Sequence, residues 1–158
     1  MKPAVWFRVS AVVLLLFAIG HTVGFLSFRP PNADGQAVFA AMNNVRFSVA
    51  GSTFSYGRFY RGFGLSISAS QVFAAWLTWL LASMAYRDAK SARLIAWAMV
   101  GLQLVGLVLS LMYFSVGPAL LSVVSAFCLS MGALSVRRAR YQRQPDSGSA
   151  AQGVVEGG

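Results

Sequence analysis

Residues 94–113 read LIAWAMVGLQLVGLVLSLMY, twenty consecutive positions without a charged side chain. At about 1.5 Å per residue a helix of this length reaches about 30 Å, the thickness of a bilayer's hydrocarbon layer. Three other stretches, Val9–Phe28, Phe63–Tyr86 and Gly117–Val136, repeat that character on either side of it. The predicted fold class is therefore all-α, an integral membrane four-helix bundle, with spans at about 9–28, 63–86, 94–113 and 117–136.

Composition agrees. Only 11% of the residues are charged, against about a quarter in soluble chains, and 57% are hydrophobic. What remains outside the spans is too short to bury a core of its own, so residues 1–143 read as one membrane domain. The tail 144–158 is built of Gly, Ser, Ala and Gln and reads as disordered. Lys2 and Arg8 ahead of the first apolar run imitate a secretory signal. The run continues through Phe28 without a small-x-small site, however, and is read as a retained helix.

The formal charge of +9 lies beside the spans, and no nucleic-acid motif accompanies it. Membrane lipids are the expected partners, and nucleic acid is not. An arrangement with both termini inside places nine Lys and Arg in the cytoplasm: Lys2, Arg8, Arg87, Lys90, Arg93, Arg137, Arg138, Arg140 and Arg143. It leaves four outside, Arg29, Arg46, Arg58 and Arg61. The positive-inside bias favours that orientation, in a membrane of the bacterial inner-membrane type.

Short connections make spans two, three and four antiparallel neighbours. Gly117-Pro118 fits the first turn of the fourth span, where proline's missing N–H is not needed. The connection 29–62 is longer. Arg29-Pro30-Pro31-Asn32 ends the first helix. Asp34 is a candidate cap for a new helix over Gln36–Phe47, with Val38, Met42, Val45 and Val49 as one apolar stripe. The expectation is an outer interfacial helix or cap between spans one and two.

Several side chains carry candidate chemistry. His21 lies within the first span, where an ionisable group is costly unless it faces the bundle interior or water. Gln71 in span two sits at a similar counted depth and is a candidate partner, with Gln103 and Thr78 nearer the middle. The simpler reading of both glutamines is interhelical hydrogen bonding. Gly20 and Gly24 bracket His21 and are expected to seat span one against span two; a homodimer through that face is the other use of such spacing. In Tyr56-Gly-Arg58-Phe-Tyr60-Arg61, aromatics and arginines fit either an interfacial belt or a site for an anionic group. Asn43 is a candidate polar contact beside them.

Absences narrow the options. The four acids, Asp34, Asp88, Asp146 and Glu156, all lie outside the spans, so no buried carboxylate relay or catalytic pair can be assembled. One Cys (Cys128) and one His cannot build a metal site, and no cofactor is implied.

The elements His-Thr-Val-Gly-Phe (21–25) and Phe-Tyr-Arg-Gly-Phe-Gly-Leu (59–65) resemble a family of small bacterial four-span membrane proteins. That family carries His-Thr-x-Gly in helix one and Phe-Tyr-x-Gly-Phe-Gly-Leu entering helix two. Here Phe54-Ser55-Tyr56 stands where members tend to have Arg-Ser-Tyr, and Arg58 replaces what is often an acid. The resemblance implies the four-span architecture and directs attention to His21, Tyr56, Tyr60 and Gly64. It implies no reaction.

Two functions follow as expectations. The first is binding of a lipid-like or amphiphilic molecule in the outer half of the bundle, with Asn43, Arg58, Arg61, Gln71 and Gln103 as binding residues. The alternative is a membrane-embedded isomerase or cyclase on an apolar, lipid- or terpenoid-like substrate. In it His21 is acid and base, Tyr56 or Tyr60 an auxiliary donor, and Arg58 or Asn43 an electrostatic stabiliser.

Overall fold

A computed structural model of the chain describes residues 2–141, with side chains described for residues 2–136. The segment 144–158, expected to be disordered, lies outside the described residues. In chain order the elements are α1 Pro3–Ser27, α2 Ala33–Asn44, β1 Arg46–Val49, β2 Ser52–Ser55, α3 Tyr56–Arg87, α4 Ala89–Tyr113 and α5 Val116–Tyr141. Four of them, α1, α3, α4 and α5, are long and apolar enough to cross a membrane. The all-α membrane bundle expected from the sequence is the fold.

Each long helix starts where its sequence supplies a terminus. Pro3 opens α1, where a missing N–H is harmless. The Ser55 hydroxyl accepts from the Arg58 N–H at 3.2 Å and caps α3. That cap starts α3 at Tyr56, seven residues before the apolar run at Phe63, so α3 has 32 residues and rises about 48 Å. Asp88 ends α3 and caps α4, its carboxylate accepting from the Ser91 N–H at 3.1 Å.

The four long helices close into a ring in which α1 packs on α3 and α5, and α4 packs on the same two. Small residues permit the close approaches. Gly132 of α5 leaves room for the Phe7 ring of α1, and Gly64 of α3 for the Phe25 ring; a methyl at either glycine would overlap the aromatic atoms. Gly20 and Gly24 correct the expectation placed on them. A Cβ at either would meet nothing within 4 Å, so both face outward from the bundle and do not seat α1 on α3.

The segment between α1 and α3 forms a cap on the α3 side of one end of the bundle, and its internal structure differs from expectation. Asn32, not Asp34, is the N-cap of α2: it is extended after the two prolines, and its Oδ1 accepts from the Gly35 N–H at 2.8 Å. The helix ends at Asn44, and Val45 turns extended. Val38, Met42, Val45 and Val49 thus never form one stripe; Gly35, Phe39, Met42 and Asn43 are the half-buried positions of α2, while Val38 is exposed. Residues 46–55 form an antiparallel hairpin pairing Phe47 with Phe54 and Ser48 with Thr53. Its two-residue turn, Ala50-Gly51, has φ of 49° and 79°, the left-handed pair that matches strand twist. An isolated hairpin is marginal in water. This one is held by Phe47, whose ring packs on Tyr56 at 4.7 Å and Phe59 at 5.8 Å between centroids.

Candidate functional site

The C-terminal end of α1, one face of α2 and the first two turns of α3 border a partly open cavity of about 400 Å³ at the capped end. Its apolar lining is Phe25, Leu26, Phe28 and Phe39, and its polar lining is Arg29, Asn43, Tyr60 and Arg61. Two guanidinium groups share this space and no carboxylate lines it. The cavity is therefore electropositive, and its chemistry suits an anionic group joined to an apolar body.

Local structure positions each polar group. Arg61 donates from Nη2 to Asn43 Oδ1 at 3.1 Å and from Nε to the Gly57 carbonyl at 3.4 Å. Asn43 in turn donates from Nδ2 to the Phe39 carbonyl at 2.8 Å, one turn back on its own helix. That bond fixes which side of the amide faces Arg61, since a carbonyl only accepts. Gly57 is required where α3 meets α2, because a Cβ there would strike the Asn43 amide. Arg29 folds back over the end of α1 and donates to the Phe28 carbonyl at 3.0 Å. It thereby lies at the negative end of that helix dipole.

His21 sits below this cavity and lines neither it nor the groove described next. Its Nε2 is 3.2 Å from the Gly64 carbonyl, so Nε2 carries the proton. The imidazole stacks on Phe25, with centroids 5.8 Å apart and planes 16° apart, and Phe25 contacts Tyr60 at 5.2 Å. Phe25 therefore has His21 on one side and the cavity, with Tyr60, on the other. Next to His21, Thr22 donates to the Ala18 carbonyl at 2.8 Å. A hydroxyl has one proton, so the Ser68 hydroxyl supplies the one in the 2.7 Å Thr22–Ser68 pair.

The residues singled out in the sequence do not converge on one place. Asn43, Tyr60 and Arg61 meet in the cavity. Arg58 lines a more open groove of about 440 Å³ with Phe54, Phe59 and Phe63, so the two arginines expected to act together face different spaces. Tyr56 is exposed and packs on the hairpin. Gln71 is half-buried and is not the His21 partner. With α3 starting at Tyr56, His21 lies at the level of Gly64, seven residues or about 10 Å from Gln71. Gln103 is buried in the middle of the bundle.

Arg29, Phe25, Phe28 and Phe39 are cavity residues that the sequence reading passed over. Arg29 had a usable signal, since it directly precedes Pro30-Pro31, where the chain must turn back over the helix end. Among the described residues no group of three His, Cys, Asp or Glu is placed to hold a metal ion. No protein-family model, curated protein or solved structure matches this chain, so its own geometry carries the functional argument.

Proposed function

We propose that this membrane protein binds an anionic amphiphile in the capped-end cavity, with the headgroup on Arg29 and Arg61 and the apolar body among Phe25, Phe28 and Phe39. The observation that carries the reading is the pair of guanidiniums in a space of about 400 Å³ whose lining holds no carboxylate. Each guanidinium keeps unused donors, and an anion between them accepts charge-assisted hydrogen bonds stronger than neutral ones. Tyr60 and Asn43 add neutral hydrogen-bonding capacity beside the headgroup. In the orientation with both termini in the cytoplasm of a bacterial cell, the cavity opens at the outer leaflet of the inner membrane. The isomerase alternative needs His21 at the substrate, and the Phe25 ring stands between His21 and the cavity.

The test is mass-spectrometric lipid analysis of protein purified in mild detergent. The wild type should carry an enriched anionic amphiphile that the Arg29→Ala/Arg61→Ala variant has lost. Arg58→Ala, at the separate groove, should retain it. Equal lipid profiles in the wild type and the double variant would refute the reading.

A further inference from the structure

The bundle core changes character along its length. Toward the end carrying the described N-terminal residues it is apolar, with Phe7, Leu81 and Leu129 packed among alanines. Nearer the cap, four buried polar residues replace that pattern: Thr78 of α3, Gln103 of α4, and Ser122 and Ser125 of α5. Gln103 is only 1% exposed, yet neither its amide oxygen nor its amide nitrogen has a hydrogen-bond partner among the described residues. The hydroxyls of Thr78, Ser122 and Ser125 are likewise unpartnered, as is Oε1 of half-buried Gln71.

Register gathers these groups. The α4–α5 turn lies at Phe114–Ser115, so Gln103 falls opposite the Ser125 region of the antiparallel partner. A Cβ on Gly106 would lie 3.7 Å from the Ser122 hydroxyl, which confirms that alignment. Counting from the α3–α4 turn at Asp88 places Gln71 opposite residue 105, within about 3 Å of Gln103 in depth. Ser10 of α1 joins the same region by donating to the Ser125 carbonyl at 3.4 Å.

An unpaired polar group in an apolar interior is strongly disfavoured, and hydrocarbon supplies no partner. Small clusters of buried water resolve such deficits, each molecule making two to four hydrogen bonds. We infer that the middle of the bundle is a binding site for internal water, held by the Gln103 amide and the hydroxyls of Ser122 and Ser125. The layer contains both donors and acceptors and no charged side chain, so its guest is neutral. Above it the Thr22–Ser68 and His21–Gly64 contacts continue a polar seam toward the cap. Below it Leu81 and Leu129 form an apolar floor.

The full chain, labelled with ¹⁵N-glutamine and reconstituted in lipid nanodiscs, tests this by water-to-amide cross-relaxation. The Gln103 side-chain amide, identified by its loss in Gln103→Met, should show a cross-peak to water. The absence of that cross-peak would overturn the proposal, because the amide would then be dry or bonded directly to a neighbouring hydroxyl. Thermal melting of Gln103→Leu gives the independent arm. A hydrated layer loses its main anchor and melts lower, whereas a dry layer loses two unpaired atoms and melts higher. The water cross-peak decides the question even if Gln103→Leu does not fold.

Discussion

Gly64 and Gly20 both occupy the interior of long helices, yet only one of them is needed there. A Cβ on Gly64 would enter the Phe25 ring, the ring that separates His21 from the cavity. Gly64→Ala should therefore lower the melting temperature by the equivalent of about 1–3 kcal/mol, the usual range for overpacking a filled site. Gly20→Ala meets open space and should be neutral or stabilising, by up to about 1 kcal/mol of helix propensity. Melting both variants in the same detergent checks the pair; equal losses would mean that Phe25 moves aside freely. His21 belongs to the same cluster. His21→Gln retains a donor for the Gly64 carbonyl but loses the stack on Phe25, and it cannot exchange a proton near neutral pH. With His21 in a packing role, the variant should melt somewhat lower and still complement a gene deletion. A variant of unchanged melting that fails to complement would restore the acid–base role.

At the scale of elements, the turn between α3 and α4 depends on one carboxylate. The hydrogen bond from Ser91 holds the Asp88 carboxyl below its ordinary pKa. A folded-state pKa lower than the unfolded one contributes stability above the unfolded value, and that contribution is lost as pH falls through the folded value. Melting followed from neutral to strongly acidic pH should show this loss at the acid end. Asp88→Asn keeps a capping oxygen without a titrating group and should flatten that part of the profile. The hairpin offers a second element-scale prediction. Ala50 is the one described non-glycine residue with positive φ, a conformation asparagine tolerates better. Ala50→Asn should raise stability by about 1 kcal/mol, read as reduced proteolytic nicking of the cap or a higher melting point.

For the molecule as a whole, the proposed orientation predicts a labelling pattern. In a Cys128→Ser background, single cysteines at Lys2 and Arg87 should resist impermeant thiol reagents applied to intact cells. A cysteine at Ser48, on the exposed hairpin, should react. Labelling at Lys2 or Arg87 with protection at Ser48 would invert the topology and move the cavity to the cytoplasmic leaflet. The ring closure of α1 on α5 rests on Phe7 fitting over Gly132. A bulky residue there should loosen the bundle at the end opposite the cap while leaving four inserted helices.

Four apolar runs of about twenty residues determined the number of spans and the all-α class by themselves. The reason is that a helix is the only spanning form these runs can adopt that satisfies its backbone in hydrocarbon. The grouping of Asn43, Tyr60 and Arg61 was partly legible too, because aromatic and arginine residues cluster around the entry to α3. Residue order could not show that Arg29 joins them while Arg58 faces another groove, because that depends on how α1, α2 and α3 meet. The hairpin escaped notice because its strands have four residues each and depend on Phe47 packing against α3 rather than on local pattern. The partner of His21 was misplaced for a related reason. Hydropathy locates where a helix is apolar, but the Ser55 cap decides where it begins, and depth is counted from there. Tertiary structure alone decided which small residues lie at helix contacts: Gly64 and Gly132 receive aromatic rings, while Gly20 and Gly24 face away from the bundle. Lipid and a neighbouring helix are equally apolar, so hydropathy cannot distinguish the two faces, and only the fit of ring to backbone does.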